Sequence, residues 1–286
     1  MGLAFALMWS SAFTSARIIV ANAPPLTSLA LRFLLTGVVA IAIARALGQS
    51  WRLTRPQWVA TLVFGICPNA LDLGLNFVGM QTVEASLAAI IASSLPLWVG
   101  LAGWTIFGDR LRPLGVAGLV AGFLGAGLIM GTRLNAGVDV VGVVLCCLGV
   151  LALAFATLMV RGATSGGNVL MIVGLQMLVG SVSLGLVALA IESWEVTWST
   201  PLIVAFLYTA FVPGLAATWV WFTLVNRIGA VRAATFHFLN PFFGVAIAAV
   251  ILGEALGLLD LVGVAIITVG ILAVQLSRAP VSGSAR

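Results

Sequence analysis

VEASLAAIIASSLPLWVGLAGWTIFGDRL (Val83–Leu111) and IGAVRAATFHFLNPFFGVAIAAVILGEAL (Ile228–Leu256) are one segment written twice. A constant shift of 145 residues, without a gap, lays Ala85 on Ala230, Ala88 and Ala89 on Ala233 and Ala234, Pro96 on Pro241, Gly108 on Gly253 and Asp109 on Glu254. The register extends backward, Pro68 onto Pro213 and Phe77 onto Phe222, and forward, Gly118 onto Gly263 and Gly125 onto Gly270. The chain is a half-chain duplication.

Composition decides the solvent around that repeat. Of 286 residues, 62% are hydrophobic and only 7% charged, which excludes a water-soluble globular domain. Apolar runs long enough to cross a hydrocarbon core of about 30 Å recur throughout, so the expectation is an all-α, polytopic membrane protein. The net charge of +5 does not indicate nucleic acid, because the arginines are scattered singly and form no basic run. Cys67, Cys146 and Cys147 lie within apolar spans at no metal-ligand spacing and read as packing residues. No metal, cofactor or nucleic-acid partner is expected.

Ten spans fit with short connections: 3–22, 26–47, 57–79, 83–107, 114–131, 138–161, 168–191, 200–226, 229–252 and 257–277. The first is retained as a helix rather than a signal peptide, since it lacks a basic leader and its removal would break a five-plus-five arrangement. With the first end inside, Arg45, Arg52, Arg55, Arg110, Arg112, Arg161, Arg227, Arg232, Arg278 and Arg286 are cytoplasmic and only Arg133 is external. That bias places both termini in the cytoplasm. Five spans per half is an odd number, so the second half enters from the opposite side and the repeats are inverted. Residues 1–131 form the first repeat, 132–137 a connection, 138–277 the second, inverted repeat and 278–286 a cytoplasmic tail. In membrane proteins this arrangement points to carriers that work by alternating access.

The same segments resemble the drug/metabolite transporter superfamily, in particular its ten-helix EamA-type exporters. The resemblance is carried by Trp9-Ser10-Ser11-Ala12-Phe13, by Pro25 with Leu29-Ala30-Leu31-Arg32-Phe33, and by the doubled block ending in Gly108-Asp109-Arg110-Leu111 and Gly253-Glu254-Ala255-Leu256. It covers nearly the whole length. One departure is Ala255, where a basic residue often follows the acid. The resemblance implies two five-helix bundles around a central cavity, lined mostly by spans three, four, eight and nine and closed by one and six. It also implies export of amino acids, other metabolites or cationic drugs, with the branch exporting neutral and aromatic amino acids nearest in character. A bacterial inner-membrane location follows, with a small-molecule substrate and the lipid bilayer as partners. Whether the chain forms a homo-oligomer stays open.

Polar groups within lipid identify candidate sites, because a central charge costs about 2.5–3.5 kcal/mol on insertion scales. At 1.5 Å per residue, Arg17, Arg32 and Asp72 sit at a shared depth of roughly 8–11 Å below the outer surface. An Asp72–arginine pair is the first expectation, and substrate recognition by Asp72 the second. His237, the single histidine, is a packing residue, a substrate contact or a proton-coupling group. Pro96 and Pro241 interrupt spans four and nine at mid-membrane, freeing the carbonyls of Ala92 and His237, with Ser94, Trp98 and Asn240 beside them. Asn76 and Trp221 occupy equivalent positions in the two repeats, and Trp9 lies deep in span one. Trp51, Trp58, Trp194 and Trp198 read as interfacial. The candidate substrate-binding set is therefore Trp9, Asp72, Asn76, Ser94, Trp98, Trp221, His237 and Asn240. Pro96 and Pro241 are candidate hinges. Asp109 and Glu254, assigned to opposite faces, cap turns or act as paired gates. Clustered nucleophiles, bases or metal ligands are missing, so an enzyme is not expected. The main alternative is an exporter of cationic or amphiphilic drugs, for which Asp72 is the acid available.

Overall fold

The computed structural model describes residues 1–106, 108, 112–135, 137–159, 168–228 and 236–277. They form ten helical elements: α1 (Gly2–Val20), α2 (Pro25–Ala46), α3 (Arg55–Gly79), α4 (Ala85–Thr105), α5 (Pro113–Asn135), α6 (Val140–Met159), α7 (Val169–Ile191), α8 (Thr200–Thr209 continued by Ala210–Ala216 and Ala217–Ile228), α9 (Phe236–Leu252) and α10 (Leu258–Ser277). Among the described residues, nine of these are long and apolar enough to cross a membrane, and α9 is a shorter apolar helix. No β-strand occurs among the described residues. This is the expected ten-helix membrane architecture.

Local chemistry sets where the helices begin. Pro25 opens α2, where a missing N–H has no intrahelical acceptor to lose. Thr54 and Gln57 form a capping box at the start of α3. Ser199 accepts from the amide of Leu202 at the start of α8. Asp139 caps α6: its carboxylate accepts from the amides of Val141 (3.1 Å) and Gly142 (3.2 Å) and from the Thr82 hydroxyl (2.6 Å). The Thr82 hydrogen bond, with the two amides adding to it, holds the Asp139 carboxyl below its ordinary value of 3.8.

Four helices are interrupted, at positions the duplication relates. α3 widens into a π-turn over Gly65–Asp72 around Pro68, and α8 does so over Ala210–Ala216 around Pro213. α4 breaks at Ser94 and restarts at Leu95 with Pro96 in its first turn; α9 runs as a 3-10 turn over Phe236–Leu239 and restarts at Asn240 with Pro241 in its first turn. The 145-residue shift carries Gly65 to Ala210 and Leu95 to Asn240. Gly108 and Gly253, also related by it, are both left-handed, at φ 69° and 68°, a conformation glycine adopts without steric cost.

Glycines bring equivalent helices together. A Cβ on Gly118 would fall 2.7 Å from the Gly270 carbonyl oxygen, and one on Gly125 would fall 3.0 Å from that of Gly263. Residue numbers rise along α5 as they fall along α10, so the two helices are antiparallel. The repeat carries Gly118 to Gly263 and Gly125 to Gly270, so this contact maps onto itself, as a two-fold axis requires. α2 and α7 pair in the same sense: Gly37 approaches the Gly174 carbonyl, and the Ser181 hydroxyl donates to the Ala30 carbonyl (2.8 Å). Equivalent helices running antiparallel are what inverted repeats produce. The small-residue stripe of α5 is used inside the bundle, with Leu97 of α4 seated on Gly122.

Two outcomes follow. Gly118→Val, which drives a side chain into the α10 backbone, is expected to destabilise the detergent-solubilised protein by about 1–3 kcal/mol, whereas Gly127→Ala, with open space at its Cβ, is neutral in the same thermal unfolding assay. The stabilisation from Asp139 is complete above 3.8 and fades as pH falls through its lowered value. Asp139→Asn is therefore expected to flatten the fall of the thermal midpoint in that acidic window and leave its slope near neutral pH unchanged.

Candidate functional site

Three helices meet at the interruption of α9. Phe5 and Trp9 lie one turn apart on α1, and their rings are 5.7 Å apart. Trp221 of α8 lies 5.0 Å from Phe5. The His237 imidazole sits among these rings, edge-on at 5.1 Å from Phe5, 6.2 Å from Trp9 and 5.1 Å from Trp221. Glycine allows this convergence, since a Cβ on Gly2 would overlap Phe236 at 2.3 Å.

Hydrogen bonding fixes the imidazole. Asn240 Nδ2 lies 3.0 Å from His237 Nδ1. An amide nitrogen only donates, so Nδ1 accepts and the ring proton resides on Nε2. The Ser10 hydroxyl donates to the Asn240 carbonyl (3.2 Å), tying α1 to the restarted helix. Asn240 Oδ1 is buried without a partner, an acceptor poised for a donor from elsewhere.

A second polar site lies on α3, at the end of its π-turn. Asn76 Nδ2 donates to the carbonyl of Asp72 (2.8 Å) and to its Oδ1 (3.0 Å), while Asn76 Oδ1 is buried without a partner. Gly149 of α6 covers the pair: a Cβ there would lie 2.8 Å from Asn76 Nδ2 and 3.0 Å from Asp72 Oδ1. The expected pairing of Asp72 with Arg17 or Arg32 is not formed. Arg17 Nη1 donates to the carbonyls of Met80 and Gln81. The Arg32 guanidinium carbon lies 5.0 Å from the Phe33 ring centroid, and its Nε has no partner. Depth alone brought these groups level, whereas rotation about each helix axis turned them apart.

Carboxylates hold the ends of the spans that the arginine bias assigns to the outside. Glu254, after α9, accepts from the amides of Ala85 (2.8 Å) and Ser86 (2.9 Å) at the start of α4. Glu192, after α7, accepts from the amides of Leu26 and Thr27 and from the Thr27 hydroxyl at the start of α2. Arg133 bridges Glu84 (2.6 Å) and Asp260 (2.9 Å). A cleft of about 370 Å³ opens here between Arg17, Asn22, Glu84, Leu252 and Glu254. Glu254 thus acts as a helix cap across the repeats. Its counterpart Asp109 lies outside the described residues.

The structure therefore gathers Trp9, Trp221, His237 and Asn240 in one cluster and Asp72 with Asn76 in another. It places Ser94 and Trp98 apart from both: the Ser94 hydroxyl donates to the Ile91 carbonyl (2.6 Å), and Trp98 packs on Phe123 of α5 at 5.0 Å. Phe5, Gly149 and Arg133 were missed. Phe5 has a signal, its four-residue spacing from Trp9, but reads as ordinary core. Among the described residues no group of three His, Cys, Asp or Glu side chains is placed to hold a metal ion.

Comparison with known proteins adds the family. Residues 1–131 and 140–276 each match the model of the EamA-like transporter family. The chain is 29% identical over 268 residues to the uncharacterized transporter YvbV of Bacillus subtilis, covering 93% of this chain and 87% of that protein. It is 27% identical to the uncharacterized inner membrane transporter YedA of Escherichia coli K12, over 97% and 90% of the two chains. It is 24% identical to a protein of Salmonella typhimurium named a probable amino-acid metabolite efflux pump, over 95% and 92%. A solved crystal structure of a protein shares the fold at a TM-score of 0.70 and 22% identity, covering 97% of this chain and 96% of the other.

Loss of the Glu254 cap should loosen the start of α4. Glu254→Ala is expected to cost about 0.5–2 kcal/mol and to speed amide hydrogen exchange at Ala85 and Ser86, with Glu254→Gln intermediate. Exchange read by mass spectrometry on the reconstituted protein checks this.

Proposed function

Because the chain belongs to the EamA-like transporter family, we propose that this membrane transporter exports small neutral or aromatic amino acids and related metabolites by alternating access between its inverted repeats. The observation that carries the reading is the His237–Asn240 pair, enclosed by Phe5, Trp9 and Trp221 at the break in α9. Aromatic rings offer large apolar surface to a side chain of the solute. The unpartnered Asn240 Oδ1 accepts from its ammonium group, and His237 Nε2–H donates to its carboxylate. Interrupted helices supply such sites in carriers, since free backbone groups survive in lipid only where they line a cavity. The name of the Salmonella relative points to the same solute class.

In this reading Pro96 and Pro241 are the hinges about which α4 and α9 bend. Glu254 closes one face by holding the start of α4, and Asp109, its repeat counterpart, acts on the other. Ser94 and Trp98 join the solute only in a conformation in which α4 has moved. Both termini are cytoplasmic, in a bacterial inner membrane. Export of cationic amphiphiles is the second reading, favoured by Asp72, which forms no ion pair with either nearby-level arginine.

Uptake of labelled tryptophan, phenylalanine, threonine and methionine into proteoliposomes tests the proposal. Saturable uptake is expected for wild type. Asn240→Ala should raise KM about tenfold or more, the equivalent of a lost hydrogen bond to a charged group worth roughly 1.5–3 kcal/mol. Uptake of a quaternary ammonium compound with none of the amino acids would replace this reading with the second.

A further inference from the structure

The two π-turns are alike in backbone and unlike in chemistry. Each contains a proline, Pro68 in α3 and Pro213 in α8, and each begins where the repeat demands, the first running one residue longer. The residue that closes the first is Asp72, and its repeat counterpart is Ala217. π-turns within α-helices are frequent at functional sites. An acid has thus been placed at the end of one of two related π-turns.

Asp72 is 7% exposed and is seated in a pocket formed by Asn76 and the bare backbone of Gly149. The helices packed on α3 are α1, α2, α6 and α7. They bring Arg17, committed to the Met80 and Gln81 carbonyls, Arg32 and Arg45 on α2, and the thiols of Cys146 and Cys147 on α6. α7 brings no titratable group. None of the arginines forms an ion pair with Asp72. An acid so placed has one neutral amide donor and no cation, and a bare charge in hydrocarbon is costly unless it is paired or wet. Binding a proton removes that cost, and so does binding a cationic group of a solute.

We propose that Asp72 is the proton-exchanging carboxyl of the carrier, which makes export a proton antiport. This rests on the carrier reading above. When the site faces the cytoplasm, the Asp72 O–H bond breaks, the proton passes to cytoplasmic water, and the carboxylate accepts one of the three N–H bonds of the solute's ammonium group, Asn240 Oδ1 accepting another once the two clusters close on the solute. When the site faces outward, the solute leaves and water on that side returns a proton to the carboxyl. Each cycle moves one solute out and one proton in, so export of a zwitterionic amino acid carries one positive charge inward. Competition between proton and ammonium for one carboxylate couples the two movements. Gly149 is a positioning residue, since any side chain there displaces the Asp72–Asn76 pair.

Two measurements on the reconstituted full-length protein test this. Infrared difference spectra between acid and alkaline buffer, without solute, are expected to contain the carbonyl stretch of a titrating protonated carboxyl that is lost in Asp72→Asn. A band unchanged by that substitution overturns the proposal. Should Asp72→Asn fail to reconstitute, Asp72→Glu must shift the titration midpoint, and an unmoved midpoint overturns it equally. In the second measurement, an inward proton gradient drives wild-type tryptophan movement out of right-side-out vesicles. Asp72→Asn is expected to lose the stimulation by the gradient together with much of its solute counterflow, whereas Asp72→Glu, which keeps a carboxyl, is expected to retain gradient-stimulated transport. Gradient-driven transport surviving in Asp72→Asn overturns antiport through this residue. Absence of amino-acid counterflow in wild type defeats the substrate reading instead, and leaves the solute-free infrared result to decide the role of Asp72.

Discussion

A helix crossing hydrocarbon has no water to satisfy a free N–H or C=O, and the rest of this structure depends on how four helices are permitted to break that rule. Each carries a proline in its interior. α3 and α8 absorb it by widening into a π-turn, and α4 and α9 by ending one helix and starting another with proline in the first turn, where its missing N–H forfeits no bond. Hydroxyls gather beside the breaks. Ser93 and Ser94 donate to the carbonyls of Ala89 and Ile91, and Ser10 donates across to that of Asn240. Polar side chains collect at these breaks, and a place rich in donors and acceptors can share them with a solute.

The remaining helices are joined by contacts of two kinds, a division that suits the proposed alternating access. α5 with α10 and α2 with α7 meet backbone to backbone through glycine, with no room for another methyl group. Such contacts are dispersive, close and intolerant of sliding. At the outer-assigned ends, Glu254, Glu192 and Arg133 instead grip amides and carboxylates, with Glu254 and Glu84 beside an open cleft. Each of those bonds exchanges with water at a net cost of about 0.5–3 kcal/mol. Rigid pairs and exchangeable latches are what two halves need in order to rock without unfolding.

Features that repeat locally were legible in the sequence. The spans, their duplication and the prolines all come from periodicity or register, and their positions in the structure follow the 145-residue shift closely. Partners were not legible, because they are set by rotation about helix axes. Glu254 meets α4 from 169 positions away, and Arg133 meets Asp260 from 127. Asp72 shows the limit most directly: depth predicted an arginine, whereas its orientation gave it Asn76 and a glycine from α6. Trp98 shows it from the other direction, since a tryptophan next to a hinge proline turned toward Phe123 and away from the other candidates.

The two halves share a backbone plan but not the side chains at its breaks, and the difference has a reason. Alternating access asks the halves to exchange conformations, so turns, hinges and close approaches must match, and Pro68 with Pro213, Pro96 with Pro241 and Gly108 with Gly253 do. Recognition makes no such demand, because a solute with an apolar end and a charged end is itself asymmetric. Trp221 and His237 face repeat counterparts Asn76 and Ala92, and Asp72 faces Ala217. Large aromatic surface has gone to one corner and the carboxyl with its amide to the other. A symmetric scaffold holding an asymmetric pair of corners can orient an amphiphile while presenting the same moving parts to both sides of the membrane. On the proposed export mechanism, the positions at which the repeats diverge are the ones that recognise the solute.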